Sequence, residues 1–294
     1  MDFKSDMQAR IQEIEAALQT YIPKQEAFPP VIFEVMGYSL FAGGKRLRPM
    51  MVLAACEAVG GKKEMAMPFA CALEMIHTYS LIHDDLPAMD NDDYRRGRLT
   101  SHKVYGEDMA ILAGDGLLHH AMETMAQACY ENPCKETTGA MLAIAKGAGV
   151  HGMLTGQVVD VYFEGKPIDK ETLDFIHIHK TAAMIRGALE AGARVGGASE
   201  EVVEKFGLAG EKIGVAFQIL DYILDVTSIM DELGKPIHSD ENNEKTTYVT
   251  LYGIEESRKI AAKLSDEAVA IWKELGESCD FLQTLTNYLL QRTY

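Results

Sequence analysis

The chain has 294 residues, 47% hydrophobic and 24% charged, with a formal net charge of −16. That length buries a sizeable core in one large domain or two ordinary ones, and the acidic surplus argues against nucleic acid or an anionic lipid surface as the partner. The five cysteines (Cys56, Cys71, Cys129, Cys134 and Cys279) form no CxxC pair, so a reducing, cytoplasmic compartment fits better than a disulfide framework.

The dominant period is helical. The opening stretch carries charges at helical intervals and reads as neither a signal nor a transit peptide. In 6–21, the residues Met7, Ile11, Ile14, Leu18 and Tyr21 recur at steps of three and four. An Ala-rich buried helix is expected over 50–59. A longer apolar one is expected over 68–84, with Pro68 near its start. Further helices are predicted over 110–129, 137–157, 170–196, 200–226, 257–275 and 281–292. Only 158–163 looks strand-like. The breaks fall at 27–30, 60–63, 91–106, 132–135, 164–169 and 230–248. None is an interdomain linker, no solenoid repeat is visible, and no run of about 18 apolar residues could span a membrane. The reading is all-α, a single domain over 1–294, with central helices apolar nearly all round.

Three constellations carry chemistry. The first is Asp84-Asp85-Leu86-Pro87-Ala88-Met89-Asp90, continued by Asp92, Asp93, Arg95 and Arg96. Clustered carboxylates repel unless a cation compensates, and hard oxygen donors suit Mg²⁺. The two arginines fit bidentate phosphate contacts. EF-hand spacing is absent. The second is Asp221 and Asp225, four apart, which share one face of an apolar helix where carboxylates are costly without cations. The third is Gly43-Gly44-Lys45-Arg46-Leu47-Arg48-Pro49, in which three cations beside two glycines form an anion cradle. It is not a Walker P-loop. Lys180-Thr181 and Lys235 add weaker signals. His77, His83, His177 and His179 lack zinc spacing. Two acidic clusters and a basic cradle in a helical protein suggest diphosphates bridged by Mg²⁺.

These motifs resemble, in order from about residue 37 to 253, those of the short-chain polyprenyl diphosphate synthases, in the branch of the bacterial farnesyl diphosphate synthases. Gly43–Pro49 resembles their GGKRLRP, 82–90 with Arg95-Arg96-Gly97 their first aspartate motif, 177–181 their HxHKT, and 217–225 their FQxxDDxxD. The stretches 233–236, 239–240 and 245–248 resemble the family's segment on the C-terminal side of its second motif. The resemblance implies an all-α helical bundle of the isoprenoid synthase type with a deep central cavity, usually homodimeric. It implies Mg²⁺, three ions with Mn²⁺ as a substitute, held by Asp84, Asp85, Asp90, Asp221 and Asp225. Arg95, Lys180 and Lys235 would contact the allylic diphosphate. Gly44, Lys45, Arg48, His77 and Arg96 would hold isopentenyl diphosphate. Thr181 and Gln218, with Lys180, would lie near the developing carbocation.

Chain length is argued from α-helical geometry and the same resemblance. Ser80 lies one turn before Asp84 and Tyr79 beside it, about 7 Å deeper. A bulky Tyr79 there forms a floor under a growing prenyl tail. In the bacterial farnesyl synthases an aromatic at this place and two extra residues, here Pro87-Ala88, go with a fifteen-carbon product; geranylgeranyl diphosphate is the neighbouring alternative. The chain departs from the pattern at Tyr222, where a second carboxylate is usual and tyrosine is a poor Mg²⁺ ligand. Gly37, His238, 228–230 and 291–294 also depart. These departures raise a slowed enzyme or a regulatory subunit of a heteromeric synthase as alternatives. A cation-stabilised scaffold predicts binding without turnover, and a terpene cyclase would have no use for the basic cradle.

Overall fold

The computed structural model describes residues 2–23, 29–227 and 246–290. The described helices are α1 (Phe3–Tyr21), α2 (Pro30–Leu40), α3 (Leu47–Ala58), α4 (Lys63–Asp84), α5 (Ser101–Tyr105), α6 (Glu107–Glu131), α7 (Lys135–Ala148), α8 (Met153–Tyr162), α9 (Lys170–Ile176), α10 (Ala183–Val195), α11 (Glu200–Thr227), α12 (Tyr248–Leu275) and α13 (Asp280–Leu290). A π-helical segment, His177–Ala182, joins α9 to α10. Among the described residues the only sheet is the hairpin of β1 (Tyr94–Arg95) and β2 (Arg98–Leu99).

The layers are set by which helices are apolar all round. In α4, eleven residues from Ala66 to Ile82 are buried, against α3 on one side and α6 on the other. The helix α10 packs on α3, α7 and α11, and α12 covers α11. A main core runs through α3, α4, α6 and α10, and a smaller one gathers Leu173, Ala182, Ile219, Ile223 and Tyr248. By length and composition α4 could cross a bilayer, but 61% of its apolar window is buried inside the bundle. It is a core helix.

Several boundaries differ from the sequence expectation, each for a local reason. The helix expected over 137–157 is two, because Gly149 and Gly152 adopt non-helical backbone angles between α7 and α8. The strand-like 158–163 lies largely in α8: two of its valines face solvent rather than alternate across a sheet, with Val158 59% and Val161 43% exposed. The helix expected from residue 257 begins at Tyr248, capped by Thr247 and Thr250. Gly253, with φ of 76°, kinks it and masks the continuity. The α4 helix starts a turn before Pro68, at Lys63. Three elements, α2, the hairpin and α5, have no counterpart in the sequence expectation. Pro30 at the first position starts α2, although Val31, Ile32 and Val35 obscure a helical pattern. The break over 91–106 contains both the hairpin and α5.

Candidate functional site

Helix α4 delivers the first wall. His77, Ser80 and Asp84 recur at three and four residues and so share a face. The helix stops after Asp84, and the chain folds back so that the Asp90 N–H donates to the Asp84 carbonyl at 2.9 Å. Burial pushes the Asp84 carboxyl up to about 6; Lys180 opposes this, while Asp90 and Asp85 add to it. One carboxylate oxygen accepts from Gln157 Nε2 at 2.9 Å. Asp85 turns the other way and accepts from Arg95 through Nε at 2.7 Å and Nη2 at 2.6 Å. Burial works against the Arg95 charge, but the bond to Asp85 outweighs it and holds the guanidinium above its ordinary value.

The arginines are aimed by a tight turn. Arg96 and Gly97 sit between β1 and β2 with φ of 53° and 71°, the positive angles of a type I′ hairpin. Arginine tolerates that region at a cost of about 1–2 kcal/mol, a strain typical of functional sites. Arg96 donates to the Gly43 carbonyl. Gly44 has a φ of 140°, which favours glycine, and a Cβ there would also lie 2.9 Å from Arg96 Cζ and push that side chain aside. Arg48 Nη1 lies 3.4 Å from His77 Nε2. Burial lowers the Arg48 value, with Glu74 and Asp221 opposing. Burial and then Arg48, Arg96 and Arg95 hold His77 well below the usual imidazole range, hence neutral. The cradle differs from expectation in one cation. Arg46 is 2% exposed and donates to Glu74 at 2.7 Å and to the Leu40 carbonyl at 2.7 Å. It braces the core.

The second wall is α8, the π segment and α11. Two glycines let them touch. A Cβ on Gly156 would fall 2.2 Å from Lys180 N, and one on Gly214 would fall 2.4 Å from Ala182 Cα. The π segment, a form frequent at functional sites, presents Lys180 and Thr181. Lys180 Nζ pairs with Asp160 at 2.6 Å, and Thr181 Oγ1 donates to Gln218 Oε1 at 2.8 Å.

Between the walls is a cavity of about 590 Å³. Of the residues expected from sequence, it is lined by Arg48, His77, Tyr79, Ser80 and Asp84 from the first wall, with Arg95 and Arg96 from the hairpin. From the second wall come Lys180, Thr181, Gln218 and Asp221. Gly44, Lys45, Asp85, Asp90 and Asp225 are not in the lining: Lys45 is exposed on its loop, Asp85 is engaged by Arg95, and Asp225 is buried one turn beyond Asp221. Lys235 lies outside the described residues. Sequence reasoning misses Gln157 and Asp160, and takes Asp92, which lines the cavity, only as part of the acidic cluster. On a helix Gln157 and Asp160 share a face, whereas a strand through this stretch would set them on opposite ones.

Among the described residues no three metal-ligating side chains already meet at one point. The donors nonetheless fit a hard divalent cation. They are carboxylate oxygens, and Asp84 is buried beside Asp90 and Asp85, whose repulsion a cation would relieve.

Comparison with known proteins agrees with this geometry. Residues 29–278 match the polyprenyl synthetase family. The chain is 46% identical over 286 residues to a dimethylallyltranstransferase of Fischerella ambigua, covering 97% of this chain and 82% of that one. It is 47% identical over 293 residues to a chloroplastic geranylgeranyl pyrophosphate synthase of Catharanthus roseus, covering 99% and 82%. It superimposes with a TM-score of 0.86 on the geranyltransferase of Helicobacter pylori complexed with magnesium and isoprenyl diphosphate, at 34% identity, covering 99% and 97%. With the all-α isoprenoid synthase fold and the motifs gathered at one cavity, the chain belongs to the polyprenyl synthetase family and is a short-chain prenyltransferase.

Proposed function

We propose that the protein condenses isopentenyl diphosphate with dimethylallyl and then geranyl diphosphate to give farnesyl diphosphate. The observation that carries this is one cavity whose lining combines the guanidinium groups of Arg48, Arg95 and Arg96, Lys180, the carboxylates Asp84 and Asp221 from facing walls, and the apolar side chains of Tyr79, Met153, Leu154 and Phe217. Arg48, His77 and Arg96, with Gly44 and Lys45 on the loop above, would hold isopentenyl diphosphate. Neutral His77 has its Nε2 against Arg48, which leaves the opposite ring nitrogen to donate to an anion. Arg95, Lys180 and Lys235 would bind the allylic diphosphate.

Mg²⁺ (three ions, with Mn²⁺ as a substitute) would be held by Asp84, Asp85, Asp90, Asp221 and Asp225 and would neutralise the leaving diphosphate. For Asp85 this requires Arg95 to exchange partners, from carboxylate to phosphate. As the allylic C–O bond breaks, the Thr181–Gln218 pair turns oriented dipoles toward the developing cation. The double bond of isopentenyl diphosphate attacks it, and a proton leaves to the departing diphosphate. The apolar floor keeps water from quenching the cation.

Tyr79 supports the fifteen-carbon product. It lines the cavity and packs edge-on against His83 with ring centroids 5.7 Å apart, which supports a role as the floor. The Catharanthus relative, named for the twenty-carbon product, favours geranylgeranyl diphosphate as a second reading. The same proposal takes the chain as one domain, cytoplasmic and homodimeric.

The test incubates the protein with labelled isopentenyl diphosphate, Mg²⁺ and each allylic starter, then sizes the dephosphorylated alcohols. A fifteen-carbon alcohol that lengthens in Tyr79→Ala supports the proposal. A twenty-carbon alcohol from the unaltered protein supports the second reading, and no product from any starter refutes both.

A further inference from the structure

Tyr222 comes directly after Asp221 on α11. One residue on a helix is a rotation of about 100°, so while Asp221 lines the cavity Tyr222 is turned to its side, toward the π segment. Its hydroxyl lies 3.3 Å from His177 Nε2, and the two rings sit 5.3 Å apart at 36°. His177 is 1% exposed. It also stacks on Tyr248, at 5.3 Å and 23°, and the Tyr248 hydroxyl donates to Asp174. The column ties α9, the π segment, α11 and α12 together.

The register of these contacts points to their purpose. Thr181 meets Gln218 and His177 meets Tyr222. Both pairs are four residues apart on their own element and run in opposite directions, so they form two rungs of one ladder between α11 and the π segment. A π-helix makes a turn in more than four residues, so His177 and Thr181 lie nearly above one another. Gly214 brings the two backbones close enough for these rungs to close. Lys180 and Thr181, which line the cavity, are held by this ladder. An aspartate at 222 ends near where the tyrosine ring begins and would not reach His177. The length of the tyrosine makes the second rung.

We propose that Tyr222 is a positioning residue that acts through His177, fastening the π segment in the register that presents Lys180 and Thr181, and that it stands outside the cation-binding set to which the second motif contributes Asp221 and Asp225. The proposal rests on the prenyltransferase reading of the cavity. It replaces the alternative that Tyr222 is a damaged metal ligand.

The test uses the full-length protein with Tyr222→Phe, Tyr222→Asp, His177→Phe and the double variant Tyr222→Phe/His177→Phe. Two readouts are taken: steady-state kinetics across Mg²⁺ concentration, and hydrogen–deuterium exchange of 177–182 without Mg²⁺ or substrate. In Tyr222→Phe, exchange of that segment should speed up about fivefold and kcat should fall about fivefold, the effect of one lost hydrogen bond. The KM for isopentenyl diphosphate and the half-saturating Mg²⁺ should stay within about twofold, because those sites lie on other residues. The double variant should be no worse than the poorer single one. Tyr222→Asp should not exceed the unaltered protein in kcat. A rise in kcat or a tighter Mg²⁺ midpoint in Tyr222→Asp, with kcat retained, would overturn the proposal in favour of a missing ligand. Unchanged exchange and kcat in Tyr222→Phe would overturn it outright. If no variant and no unaltered protein yields product, the functional reading fails, and exchange alone still decides the role of Tyr222.

Discussion

The two aspartate-bearing helix ends that face the cavity are built on opposite principles. At the end of α4, Asp84, Asp85 and Asp90 crowd together, and Asp84 is held at about 6 by burial and by its acidic neighbours. Lys180 and Arg95 offset part of that repulsion. At the end of α11 a neutral tyrosine stands beside Asp221 and bonds inward to a buried imidazole that is itself held down at about 4, chiefly by burial. That end is assembled from within. One wall concentrates carboxylates whose mutual repulsion a cation would offset, and the other uses its contacts to fix where Lys180 and Thr181 point.

The contrast breaks first at Asp84. Replacing it by Asn should lower kcat/KM by about a thousandfold, on the order of 4 kcal/mol of transition-state stabilisation, measured with saturating Mg²⁺. The same change should stabilise the metal-free protein. The folded carboxyl titrates at about 6, against an ordinary value of 3.8. Between those values the folded state holds a proton that the unfolded state has lost. Stability therefore falls as pH rises from about 4 to 6 and stays lost above. At 1.4 kcal/mol per unit this amounts to roughly 3 kcal/mol, or about 5 °C in Tm for a chain of this size. Asp84→Asn should regain it at pH 7, and Mg²⁺ should close the gap by stabilising only the unaltered protein. A variant no more stable than its parent in EDTA would mean that the α4 end carries no such penalty.

Asp221→Asn sharpens the contrast from the other side. It should cost about ten- to a hundredfold in kcat/KM, less than Asp84→Asn, because Asp221 has one neighbouring aspartate on its helix, Asp225 a turn on, where Asp84 has Asp85 and Asp90. It should give no comparable gain in metal-free Tm. Equal losses at Asp84 and Asp221 would show that the two ends contribute alike.

The legible parts of this site share a cause. Asp84, Arg95, Arg96, Lys180 and Asp221 are readable because their charge on or beside apolar helices is costly unless something compensates it. Arg46 reads like its neighbours Lys45 and Arg48, yet its partner is Glu74, 28 residues away, and no local pattern announces that pairing. Gln157 and Asp160 are hidden because the β-branched Val158, Val159 and Val161 of α8 suggest a strand. The π segment reads as ordinary helix, since no residue type in 177–182 marks its wider turn. The Tyr222–His177 contact depends on the register between α11 and that segment, which packing alone sets.

The smallest expected effect tests that register directly. Thr181→Val keeps the shape of the side chain, removes the hydroxyl that donates to Gln218 Oε1 at 2.8 Å, and leaves the other rung in place. The loss of one neutral hydrogen bond is about 1 kcal/mol, near fivefold in rate. The carboxamide of Gln218 stays in the cavity lining, where solvent or substrate can satisfy it, so no larger penalty for a buried orphan is expected. Product length should not change, because Tyr79 is untouched. If Thr181→Val and Tyr222→Phe each cost about fivefold and together cost much more than twenty-fivefold, the two rungs back each other up, and the α11 wall is a cooperative clamp. If the losses simply multiply, each rung holds its own residue, and the contrast with the α4 wall reduces to charge alone.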